Sequence, residues 1–63
     1  MAPVVYVLRV RGHPEYPTDN MAGESPESVA KAYMVMRDIP MEMWDDIIAY
    51  DCYTAIMYHF PQT

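Results

Sequence analysis

Apolar and polar residues alternate from Pro3 to Arg11. Val4, Tyr6, Leu8 and Val10 fall on one side, and Val5, Val7, Arg9 and Arg11 on the other. This period of two, in a run rich in β-branched residues, predicts a strand whose second face reaches water through its arginines. Gly12-His13-Pro14 stops it. Glu15 to Glu24 is punctuated by Pro17, Asp19-Asn20 and Gly23 and reads as loop. A short strand around Thr18 to Ala22 fits within it, and Pro17 confines such a strand to an edge. The period then lengthens. Ser25 can cap the first free N–H of a helix, Pro26 suits its first position and Glu27 complements the positive end of its dipole. Val29, Ala32, Tyr33 and Met36 follow as one apolar stripe. Pro40 disfavours helical geometry at Ile39, so the helix is expected over about 26–38.

The bulkiest stretch is Trp44 to Phe60, which contains neither Gly nor Pro. Two readings compete for it. The first is an antiparallel hairpin with strands near Trp44–Tyr50 and Ala55–Phe60, joined around Asp51-Cys52-Tyr53-Thr54. The second is a helix over 41–59 with Trp44, Ile47, Ile48, Cys52, Ala55, Ile56 and His59 on one side. The density of Tyr, Ile, Thr, Phe and Trp favours strands, and a helix would set Asp51 inside its apolar stripe. The expected architecture is therefore α+β: a single domain over 1–63, built as a small two-layer sandwich. One helix packs on a three- or four-stranded, mostly antiparallel sheet with strands near 3–11, 44–50 and 55–60. One helix covers one face, yet the last strands are apolar on both. Ile56, Tyr58 and Phe60 oppose Ala55, Met57 and His59, and Ile48 and Tyr50 oppose Ile47 and Ala49. A second layer from another subunit, or a partner, is expected on the uncovered face.

Size sharpens that expectation. A chain of 63 residues buries only about 60% of its unfolded surface. Its one cysteine, Cys52, permits no internal disulfide, and no Cys/His set has zinc-site spacing. Packing or association must supply the stability. The lone cysteine and seven methionines suit a reducing cytoplasm. Met1 to Val10 is apolar but short, ends in Arg9 and Arg11 and lacks a small-residue cleavage site, so a first strand explains it better than a leader. No run approaches the length of a membrane span.

The net charge is −5, and it is uneven. Residues 1–31 carry a net of −1 and residues 32–63 a net of −4, from Asp38, Glu42, Asp45, Asp46 and Asp51 against Arg37. Direct nucleic-acid binding is disfavoured, since phosphate contacts rest on Lys and Arg. A basic protein surface is the favoured partner. The plain alternative is that the acids only keep an apolar mini-domain soluble.

Chemistry is sparse. His13, His59 and Cys52 show no spacing that would activate a thiol or hold a metal. Cys52 reads as a bystander in a turn, His59 as a packed or edge residue and His13 as an exposed loop residue. Asp45 and Asp46, adjacent on a strand, would point apart, which is wrong for acid–base work at one centre. Asp51 suits a turn cap. There is no phosphate loop, no G-x-S-x-G and no C-x-x-C, so no enzyme, cofactor or metal is expected. What remains is the aromatic and methionine content, which suits an interface. Trp44, set between Glu42 and Asp45-Asp46, is the expected hot spot. The expected partner-binding residues are Glu42, Trp44, Asp45, Asp46, Tyr50, Asp51 and Tyr53.

The strand VVYVLRVRG, the helix start ESPESVAKAY and the closing IIAYDCYTAIMYHFP together give a layout that resembles small phage- and prophage-encoded proteins of the anti-CRISPR type. The likeness is one of size, acidity and element order, covers the chain loosely and rests on no diagnostic motif. It implies a single-domain inhibitor in the host cytoplasm that occludes a host protein, often at its nucleic-acid site. A homodimeric structural or accessory protein with no inhibitory role is the alternative.

Overall fold

A computed structural model describes residues 3–61. Met1 and Ala2, the start of the apolar run read above as strand rather than leader, lie outside the described residues. Four strands, β1 (Val4–Val10), β2 (Asp19–Gly23), β3 (Ile47–Asp51) and β4 (Met57–His59), form one sheet in the order β2-β1-β3-β4. Every neighbouring pair is antiparallel. One helix, α1 (Pro26–Arg37), packs on one face, and a 3₁₀ helix spans Met41–Asp46. The α+β two-layer reading holds: among the described residues there are four strands and no second long helix.

β1 follows its alternation. Tyr6, Leu8 and Val10 are buried under α1, while Val5 and Arg9 are exposed. β2 lies at an edge, as Pro17 requires. Ser25 caps α1, its hydroxyl accepting from the Ser28 N–H at 3.2 Å. Asp38 closes the helix in the left-handed region (φ 55°), with Ile39 N–H donating to Met34 C=O at 2.9 Å. The buried side of α1 is Val29, Ala30, Tyr33 and Met34, so the expected stripe is rotated: Ala32 and Met36 face out. Gly23 is where sheet and helix come closest. A Cβ there would collide with Val29 Cγ2.

The first strand of the expected hairpin is shorter than 44–50. Residues 41–46 coil into the 3₁₀ helix, and pairing begins only at Ile47. The second covers 57–59 rather than 55–60, because Ala55 adopts a left-handed conformation (φ 63°) that bends the chain before it can pair. Ile56 is consequently exposed instead of joining Tyr58 and Phe60 against the core.

Candidate functional site

The seven residues expected to bind a partner do not gather on one surface. β3 separates them. Glu42, Trp44, Asp45 and Asp46 sit on the 3₁₀ helix before it, Tyr50 lies within it, and Asp51 and Tyr53 lie at its far end. Three of them also have internal duties.

Trp44 is not an exposed anchor. It is 8% exposed and stacks on Phe60, ring centroids 4.8 Å apart and planes 21° from parallel. The 3₁₀ turn directs the indole inward, where the strand assumed from the sequence would have left it at the rim. Asp46 is partly spent as well. Its carboxylate lies 3.5 Å from Arg11 Nη2 and 3.9 Å from His13 Nε2, and its C=O accepts from the Arg11 N–H at 2.8 Å. His13 in turn lies 3.1 Å from Glu15 Oε2. That half-buried histidine thus ties the β1–β2 loop to the 3₁₀ helix, contrary to an exposed loop residue. The backbone and His13 hydrogen bonds hold the Glu15 carboxyl below its ordinary pKa.

Asp51 caps the β3–β4 turn, as its position suggests. Oδ1 accepts from the N–H groups of Tyr53 (2.8 Å) and Thr54 (3.1 Å). Burial pushes its pKa up, but the hydrogen bonds from Thr54 and Tyr53 outweigh that and hold the carboxyl low. The turn leaves Tyr53 94% exposed.

Elsewhere a groove opens between the end of α1 and the start of the 3₁₀ helix. It is about 490 Å³, lined by Met34, Val35, Ile39 and Met41 with Lys31 and Asp38. Val35 is 83% exposed and Met41 67%. Lys31 is paired with Glu27 at 3.2 Å. Asp38 on the wall and Glu42, next after Met41, make no ion pair among the described residues. Sequence reasoning named Glu42 as a candidate but did not anticipate the groove next to it. Its signal was Val35, an apolar residue off the expected stripe of α1. No protein-family model, curated protein or solved structure matches the chain.

Among the described residues no group of three or more His, Cys, Asp and Glu is placed to hold a metal ion, and no helix is long and apolar enough to cross a membrane. The corner presents apolar surface in the groove, with the Asp38 carboxylate on its wall and Glu42 next after Met41.

Proposed function

We propose that this chain is a small acidic protein-binding module of the phage-inhibitor type, acting without catalysis by occluding a basic, nucleic-acid-handling host protein. The observation that carries the reading is the methionine- and valine-lined groove beside the carboxylates of Asp38 and Glu42, which make no ion pair among the described residues. Methionines adapt their shape to a partner, and their apolar stems supply contact that survives in salt. The carboxylates draw a basic surface in and orient it, which acts chiefly on the rate of encounter. Trp44 leaves the contact set and becomes its support, holding the 3₁₀ helix that presents Met41 and Glu42. Asp45, exposed on the same helix, adds to the acidic field.

The test compares capture from host lysate by the native chain, Glu42→Lys and Met41→Ala, in low and high salt, followed by kinetics on the captured protein. The expected result is a basic protein whose nucleic-acid binding the chain displaces. Glu42→Lys should slow association at low salt only, and Met41→Ala should speed dissociation about tenfold. No capture at low salt, or capture indifferent to salt and to both changes, would overturn the reading.

A further inference from the structure

Apolar side chains are exposed on the open face of the sheet, away from α1, Val5 and Met57 among them, and again in the groove at the end of α1. The groove has a direction. Lys31, Val35 and the C-cap Asp38 stand at i, i+4 and i+7 along one flank of α1, a run of about 10 Å. Met34 and Ile39, both buried, form its floor, and Val35 and Met41 are exposed on its walls. Charge is unevenly placed along it. Lys31, at one end, is answered by Glu27 at 3.2 Å. At the other end Asp38 and, next after Met41, Glu42 have no ion pair among the described residues. The carboxy-terminal end of α1 adds the negative pole of its dipole there. The backbone at this corner is already paired. Asp38 N–H donates to the Val35 C=O, Ile39 N–H to the Met34 C=O and Met43 N–H to the Pro40 C=O. No strand of the sheet lines the groove.

We infer that the groove takes the apolar side of a short amphipathic helix of the partner proposed above, on which reading this rests, with Lys or Arg of that helix over Asp38 and Glu42. The volume of the groove, about 490 Å³, exceeds what one side chain fills. It suits the row that a helix projects at i, i+3 or i+4 and i+7 over the same length of about 10 Å. An extended segment would bring its N–H and C=O groups against apolar side chains with no strand edge to pair them, whereas a helix satisfies its own. Charge fixes the sign of the helix. A basic residue at the Asp38 end meets two carboxylates and the negative pole of α1, and an acidic one is repelled. Charge also excludes a second copy as the occupant. The cations on its α1 are already held, Lys31 by Glu27 and Arg37 by Asp19, and its 3₁₀ helix, MEMWDD, is acidic.

Isothermal titration and amide chemical-shift mapping of the full chain in low salt test it. The probes are synthetic peptides of about 15 residues, with Leu, Ile, Met or Phe at i, i+3, i+4 and i+7 and Lys or Arg around them. Each has one twin with Glu for every Lys and Arg, and another with a central Pro that breaks the helix. The basic helices should bind at least about tenfold more tightly than either twin, and their lead over the acidic twin should fade in high salt. The shifts should centre on Val35, Ile39 and Met41. Val35→Ser, at an exposed position, should weaken binding about tenfold. The double variant Asp38→Asn/Glu42→Lys, in which Asn keeps the left-handed cap, should prefer the acidic twin, an inversion that no loss of folding imitates. Acidic or proline-broken twins that bind as well as the basic helices, shifts centred elsewhere, or no binding would overturn the inference. So would self-association of the chain that Val35→Ser abolishes, which would make a second copy the occupant. Capture of a basic host protein by a chain that ignores the peptides would overturn the helix and leave the proposed function standing. Peptide binding as expected, with no host protein captured, would support the helix and overturn the inhibitor.

Discussion

Two phenols end inside the core. Tyr33 is fully buried and donates its hydroxyl to the Pro17 C=O at 2.7 Å, which anchors the loop before β2. Tyr6 lies edge-on to Tyr58, centroids 6.4 Å apart. Burial raises both pKa values, with Asp51 adding to the rise at Tyr6 and Asp19 at Tyr33. A phenol whose folded pKa exceeds the unfolded value of about 10 stabilises the fold below that pH, and its contribution is lost as pH climbs toward the folded value. The protein should therefore unfold cooperatively in alkali above about pH 10, with two tyrosines ionising only as it does. Parallel titrations by phenolate absorbance and circular dichroism check this; independent titration of all six tyrosines before any loss of structure would refute it. Trp44 makes a second residue-scale prediction. Trp44→Ala should cost about 3–5 kcal/mol in denaturant unfolding, most of what a domain of this size has, while Trp44→Phe keeps a ring on Phe60 and should cost far less. Asp51 was legible as a turn cap because an Asp two residues before free N–H groups does the same thing in any turn. Trp44 was not legible. Its direction depends on whether residues 41–46 alternate or coil, and six residues are too few for a period to declare itself.

At the scale of elements, the helix and sheet meet over a glycine. Gly23 gives Val29 the room to approach β2, and β2 is further pinned by Arg37, whose Nε and Nη2 donate to the Asp19 carboxylate at 2.6 Å each. That bond holds the Asp19 carboxyl below its ordinary pKa. Gly23→Ala should push α1 away from the edge strand. The expected outcome is a lower melting temperature, with hydrogen exchange accelerated first in β2; unchanged protection there would mean that the contact yields freely. β1 and the start of α1 were legible because pattern and punctuation agreed: alternation ending at Gly12, and Ser25-Pro26-Glu27 opening a helix. The buried side of α1 was not. Apolar residues at 29, 30 and 32–36 nearly encircle the helix, so stripes through Ala32 and Met36 or through Ala30 and Met34 satisfy the period equally. Only the sheet chooses between them. The surplus, Val35 and Met36, then faces outward.

At the scale of the whole molecule, charge and apolar surface are sorted rather than mixed. Of the acids that make the chain −5, the two in strands, Asp19 and Asp51, lie on the helix side of the sheet, and two others, Asp38 and Glu42, stand beside the groove at the end of α1. Composition alone announced the acidity and the excess of apolar residues. It could not announce their separation, because that depends on strand order and register, which join Val7 to Tyr50 and Tyr50 to Met57. The expected partner-binding set mixed residues of the acidic corner with Tyr50 of the open face for that reason.

β1 is made before either of its neighbours, yet it sits between them in the sheet, and so it waits. Its β2 neighbour follows after one loop, but Val10 finds Ile47 and Tyr6 finds Asp51 only after the helix and the 3₁₀ turn have been made. Such distant pairings pay their loop-closure entropy before any contact repays it, and chains that depend on them fold slowly. During synthesis Val5 and Val7, beside an unpaired strand edge, are open to any neighbour. The time a nascent chain spends in that state is set by how soon β3 follows.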